Sequence, residues 1–227
     1  MERIDTIELR NVLPEVFSGS QGDEPVASSQ VWCRDTSFTR GNNYLVEAES
    51  GTGKSSLCAF VYGNRRDYRG SILFNGQDIR SFSVQRWCEV RRRHLAYLPQ
   101  EMLLFPELTA LENVMVKNRL TDTLTERKIR DMFDVLGIAD KAAQPAGRLS
   151  VGQQQRVAIV RALAQPFDFI LLDEPVSHLD TRNNILVAEL IASFASRNNA
   201  SVISTSVGNP LLIADVTGTE KVKSVML

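Results

Sequence analysis

Apolar positions follow two different periods along the chain. Ile7–Val12 alternates residue by residue, which predicts a strand with one buried face, and Tyr44, Leu45 and Val46 form a short strand-like run. After Lys54 the spacing changes: Leu57, Phe60 and Val61 fall on one helical face, and Gly63 is the expected stop. A second helix is predicted from a capping box at Thr123 and Glu126, an apolar face of Ile129, Met132, Phe133 and Leu136, and Gly137 at its end. A third begins at Ser150, with Gln153 as its box partner; Val157, Val160, Leu163 and Ala164 continue it and Pro166 closes the segment. Phe169–Leu172 is continuously apolar before two acids, as a strand buried on both faces of a parallel sheet would be. Val187, Leu190, Ile191 and Phe194 return to helical spacing, and Ser201–Thr205 reads as a short strand. Ser18–Ser29, rich in Gly, Ser, Asp and Pro, predicts a surface loop. Strands alternating with helices imply an α/β fold with a parallel sheet and right-handed crossovers. The almost purely helical stretch from about Glu101 to Ala164 interrupts the alternation and is the expected appended subdomain.

Composition narrows the classes. The 227 residues correspond to about one and a half domains. With 43% apolar and 23% charged residues, the chain is neither disordered nor a disulfide framework. A net charge of −1 offers no global attraction for nucleic acid or an anionic membrane. Ile185–Ala195, the longest apolar candidate, is broken by Glu189, so no membrane span is expected. The amino terminus lacks a signal-peptide apolar stretch, and the scattered Cys33, Cys58 and Cys88 fit a reducing compartment.

The strongest chemical signal is Ala48-Glu49-Ser50-Gly51-Thr52-Gly53-Lys54-Ser55-Ser56, placed between a predicted strand and a predicted helix. Gly51 and Gly53 can turn successive amides toward a phosphate, and the helix N-terminus adds its dipole. Lys54 would reach the β- and γ-phosphates, while the Ser55 hydroxyl would ligate Mg²⁺. Ala48 stands where the usual pattern has glycine. Asp173 and Glu174 close the buried strand: the first would hold Mg²⁺, and the second would polarise the attacking water as general base. The capping box of Leu149-Ser150-Val151-Gly152-Gln153 is good local structure in its own right, and such an N-terminus is also an anion site, so Ser150 and the Gly152 amide could face a phosphate.

The order of these motifs closely resembles that of the nucleotide-binding subunit of an ATP-binding-cassette (ABC) transporter. The phosphate loop comes first, then Gln100 after Leu95–Pro99, the LSVGQ signature, and Phe169–Glu174. Ser177-His178-Leu179-Asp180 matches the family's dimer-contacting D-loop, carried here by Ser177 and Asp180, and Leu104–Val114 is also typical. The resemblance covers about residues 5–217 and looks most like the short lipoprotein-, macrolide- or cell-division-type subgroup. It implies a single ABC domain over 1–227: a RecA-like P-loop NTPase α/β core, an antiparallel β subdomain near the amino terminus, and an inserted helical subdomain. It further implies Mg-ATP as ligand and a head-to-tail homodimer that sandwiches two ATPs. A separate transmembrane permease and a cytoplasmic location on the inner face of the membrane follow from the same likeness. Gln100 would sense Mg²⁺ and water and couple to the permease. Phe17 lies near the position where the family stacks an aromatic on adenine; the alternative is packing against the β subdomain.

Two further residues depart from the family pattern. Its switch histidine, which contacts the γ-phosphate, would fall 32 residues after Glu174, where this chain has Ser206. The two histidines of the chain, His94 and His178, lie elsewhere. Serine can donate a hydrogen bond but carries no positive charge. Val151 replaces a signature glycine, adding a β-branched side chain where backbone normally approaches nucleotide. The expectation is therefore an ATPase subunit with slow hydrolysis, against the alternative of an ATP-dependent switch that hardly hydrolyses. A nucleic-acid-handling ABC protein is disfavoured by the single cassette and the charge. Arg91-Arg92-Arg93 reads as a solvated helix face, His94 as a surface or satisfied core residue, and Trp32 and Trp87 as packing residues.

Overall fold

A computed structural model describes residues 2–19, 26–213 and 222–227. In chain order the strands are β1 (Thr6–Pro14), β2 (Asp35–Thr39), β3 (Asn43–Glu47), β4 (Tyr68–Phe74), β5 (Gln77–Asp78), β6 (Leu95–Leu98), β7 (Phe169–Leu172), β8 (Ser201–Ser206) and β9 (Val222–Met226). The helices are α1 (Lys54–Val61), α2 (Val84–Glu89), α3 (Ala110–Asn118), α4 (Glu126–Val135), α5 (Val151–Leu163) and α6 (Thr181–Asn198). An antiparallel sheet in the order β2-β1-β4-β5 sits beside a parallel sheet in the order β6-β7-β8-β3-β9. This is the expected α/β core with an antiparallel β layer, and no named strand interrupts the helical stretch between β6 and β7.

The parallel sheet divides the apolar core. Phe169 and Leu171 of β7 enter the core shared with β1, β4 and α1, while Ile170 and Leu172 enter the one shared with α3 to α6. The pleat sends alternate side chains to opposite faces, so a one-residue slip of β7 would exchange the two sets. The helical stretch accordingly packs onto one face of the sheet through Ala96, Leu98 and Val202. Because all five strands are parallel, the segments following β3, β6, β7 and β8 leave the same edge, where α/β proteins bind ligands.

Local expectations hold with three differences. The helix expected to start at Thr123 starts later: Thr125 caps α4 and accepts from the Lys128 N–H. The cause is Asn118, whose side-chain amide bonds both the Leu124 N–H (2.9 Å) and the Leu124 carbonyl (2.7 Å), holding that residue outside the helix. A further capping box, at a helix start that the apolar spacing does not mark, joins Thr109 and Glu112 at α3. The arginine run is not one solvated face: Arg91 stacks over Tyr62 and Trp87 and donates to the carbonyls of Tyr62 and Gly63. Its neighbours Arg92 and Arg93 pair with Glu89 at the surface. His94 is a satisfied core residue, 2.6 Å from Asp168 Oδ2. Of the loop expected over Ser18–Ser29, residues 20–25 lie outside the described residues.

Candidate active site

The phosphate loop leaves β3 and folds on itself. Gly51 (φ +84°) and Gly53 (φ +100°) occupy the left-handed region, as the loop pattern requires, and Gly53 caps α1. The Glu49 carbonyl accepts from Thr52 Oγ1 (2.9 Å) and from Lys54 Nζ (2.8 Å), which draws the buried ammonium into the loop. The indole of Trp32, fully buried, donates to the Thr52 carbonyl at 2.9 Å. A β-carbon at Gly53 would lie 3.1 Å from the Trp32 ring and 3.4 Å from that of Phe17. Both aromatics thus pack on the loop itself, a support that Trp32's position in the sequence did not signal. Glu49, Ser50 and Ser55 are exposed, and Ser56 Oγ accepts from Arg65 at 2.9 Å. A cleft of about 490 Å³ lined by Ser28, Ala48–Thr52, Met226 and Leu227 opens beside the loop.

The acids at the end of β7 meet this loop. Glu174 Oε1 lies 3.8 Å from Lys54 Nζ. Asp173 is 1% exposed; its Oδ1 accepts from Thr205 Oγ1 at 2.8 Å, and its Oδ2 is buried with no hydrogen-bond partner among the described residues. Thr205 Oγ1 also accepts from the Glu174 N–H (3.1 Å), fixing Glu174 in a left-handed conformation (φ +49°). Such a conformation costs about 1–2 kcal/mol for a residue with a β-carbon, so it persists only where neighbours over-determine it. The Cys58 thiol behind the loop is held well above its ordinary pKa by burial and then by the Asp173 charge. It is therefore a neutral filler with no nucleophilic part.

Ser206, at the end of β8, sits opposite Glu47 in the parallel register, and its carbonyl accepts from the Ala48 N–H at 3.3 Å. Its hydroxyl is buried with no partner among the described residues. It lines a cleft of about 370 Å³ with Glu47–Glu49, Val207, Gly208 and Pro210.

The signature turn takes its expected local form. Ser150 Oγ accepts from the Gln153 N–H, and Gln153 Oε1 accepts from the Ser150 N–H. Leu149 is buried and Val151 is 47% exposed. A β-carbon at Gly152 would meet the His178 carbonyl at 3.1 Å, so this glycine lets α5 pack tightly on the Ser177–Asp180 turn. Gln155, one turn further along α5, donates to the Glu174 carbonyl and accepts from the His178 N–H. Asp180 caps α6, and the Asn183 N–H holds its carboxyl below the usual carboxylate range. Gln100 stands in an exposed turn after β6, outside the hydrogen-bonded set that joins residues 47–54, 173–178 and 205–206.

Comparison with known proteins gives a consistent result. Residues 35–177 match the family model described as ABC transporter. The chain is 33% identical over 168 residues to an uncharacterized ABC transporter ATP-binding protein of Thermotoga maritima, covering 73% of this chain and 72% of that protein. It is 31% identical over 172 residues to the lipoprotein-releasing system ATP-binding protein LolD of Legionella pneumophila, covering 74% and 76%. In fold it is similar to the dimeric structure of MJ0796, a bacterial ABC transporter cassette. The TM-score is 0.77 at 22% identity, over 97% of this chain and 94% of that one.

Proposed function

The chain belongs to the ABC transporter family as an ATP-binding subunit, and we propose that Lys54, Asp173 and Glu174 carry its ATPase chemistry while Ser206 keeps turnover slow. The observation that carries this reading is the approach of Lys54 to Glu174, with a partnerless buried oxygen on the adjacent Asp173. Amides of residues 49–54 and the Lys54 ammonium receive the β- and γ-phosphates of ATP. Phe17, half-buried on the loop, is the candidate to contact the base. Glu174 takes a proton from the attacking water as its oxygen bonds to the γ-phosphorus and the bond to the β–γ bridging oxygen breaks, releasing ADP.

Asp173 also fits a divalent cation, because a buried carboxylate oxygen without a donor is costly until a positive charge reaches it. Asp173, the Ser55 hydroxyl and Gln100 are the residues that would hold Mg²⁺, which when bound neutralises phosphate charge. At the strand end beyond, the Ser206 hydroxyl has only a neutral hydrogen bond to offer the γ-phosphate, where the family pattern has a histidine. A charge-assisted bond exceeds a neutral one by about 1–2 kcal/mol, or roughly five- to thirtyfold in rate.

Subunits of this family work with transmembrane permeases, and no helix among the described residues is long and apolar enough to cross a membrane. We place the permease at a groove of about 260 Å³ where large apolar side chains gather at the surface, among them Leu103 (64% exposed), Leu120 (55%) and Phe105 (49%). The dimer we propose brings the Ser150 turn of one copy to the phosphate loop of the other.

Turnover of the purified chain, compared with Glu174→Gln and Ser206→His, tests this reading. A slow, Mg²⁺-dependent rate that falls about a hundredfold in the first variant and rises about tenfold in the second is expected. A Glu174→Gln rate equal to that of the parent chain would instead support the ATP-dependent switch, the reading that Ser206 also favours.

A further inference from the structure

Two residues beyond Gln100 the backbone does something unusual. Met102 (φ +60°) and Leu103 (φ +48°) are consecutive residues in the left-handed region, and both carry β-carbons. Isolated left-handed residues are tolerated, whereas a pair accumulates the steric cost. Within the turn, the Met102 N–H donates to the Pro99 carbonyl (3.0 Å) and the Leu103 N–H to the Glu101 carbonyl (2.6 Å). From outside it, the guanidinium of Arg161 donates to the Met102 carbonyl and to the Leu103 carbonyl (2.8 Å). No carboxylate pairs with Arg161 among the described residues, so its charge is spent on these two oxygens.

Met102 and Leu104 rest against the apolar core, while Leu103 between them is exposed. Leu103 lines two cavities of about 260 Å³ each, one with Tyr62, Tyr97 and Phe105, the other with Pro106, Gly147 and Gln154. Leu103 thus stands between two clefts, and Arg161 is the side chain that ties its backbone to α5. Arg161 lies near the end of α5, eleven residues after Ser150 and thus about 16 Å along one rigid helix from the signature turn.

We infer that Arg161 is a positioning residue for hydrolysis: its two-carbonyl clamp on Met102 and Leu103 latches the Gln100 turn to the helix that carries the signature. The inference rests on the reading of Gln100 given above. Loss of the clamp lets the left-handed pair relax and displaces Gln100, while the phosphate loop is untouched. Lysine is no substitute, because a single ammonium lacks the planar fork that spans two carbonyls.

The test measures ATP turnover and KM of the purified chain, with thermal melting as a check on folding. Arg161→Ala and Arg161→Lys are each expected to lower kcat about tenfold and leave the KM for ATP within about twofold. Adding Met102→Gly and Leu103→Gly to Arg161→Ala removes the left-handed penalty, and kcat should recover at least about threefold without a matching gain in melting temperature. A merely structural arginine would give no such recovery. A kcat within twofold of the parent in Arg161→Lys, or no recovery on adding the glycines, overturns the latch. Gln100→Ala separates the two claims. If it lowers kcat and Arg161→Lys does not, only the latch fails; if it changes nothing, the role of Gln100 fails and the latch with it.

Discussion

β3 and β8 are neighbours in the parallel sheet and end side by side, yet their carboxyl ends are furnished very differently. Beyond β3, the loop is tied at several points: Thr52 and Lys54 to the Glu49 carbonyl, Trp32 to the Thr52 carbonyl, and Gly53 against two aromatic rings. At the end of β8, Thr205 is fully engaged by Asp173 and Glu174, and the next residue, Ser206, keeps a buried hydroxyl with no partner among the described residues. On the roles proposed above, the contrast teaches that binding and hydrolysis would be built by separate segments that need not be equally complete. The proposed phosphate-binding end is over-determined, whereas the proposed hydrolytic end holds one residue bonded to both acids and one with a single neutral donor to offer.

Substitutions at the two ends should separate these roles. The largest effect is expected from Lys54→Ala, which removes the one buried cation of the loop; ATP affinity should fall about a hundredfold or more, read by equilibrium binding of a fluorescent ATP analogue. Thr205→Val comes next. It keeps the shape but deletes the hydroxyl between Asp173 and Glu174, so turnover should drop about tenfold and stability by roughly 1–3 kcal/mol, with ATP affinity nearly kept. Urea denaturation and turnover assays check the pair of numbers. Ser206→Ala is the smallest: turnover should fall no more than about fivefold, the value of one neutral hydrogen bond, and stability should hold or rise because an unpaired hydroxyl is removed. If Ser206→Ala matched Lys54→Ala in its effect on ATP affinity, the division between a binding end and a hydrolytic end would be wrong.

Much of the fold was readable from the residues in order. The all-apolar Phe169–Leu172 became a strand buried on both faces, and Ser150 with Gln153 became a reciprocal cap, because each depends on contiguous residues at a fixed spacing. The start of α4 departs from its local pattern for a related reason. Thr123 has the right partner at the right distance, but the decisive bond comes from Asn118, on the preceding helix, and capping patterns contain no term for it. The three arginines at 91–93 look equivalent in the sequence; only the stacking of Tyr62 and Trp87 on one of them divides the run.

What the sequence by itself determined is the chemistry available: a glycine-bearing loop ending in Lys54, two acids after a buried strand, a signature turn, and a serine where a histidine is the family pattern. Residue identity and local spacing suffice for those, since they set which atoms can donate, accept or carry charge. Tertiary structure alone decided how they are held. Trp32 beneath Thr52, Thr205 between Asp173 and Glu174, Gln155 on the Glu174 carbonyl and Arg161 on Met102 and Leu103 all join segments far apart in the chain. Such contacts are set by strand order and helix packing, which no local period encodes, because folding brings distant positions together according to the core they share.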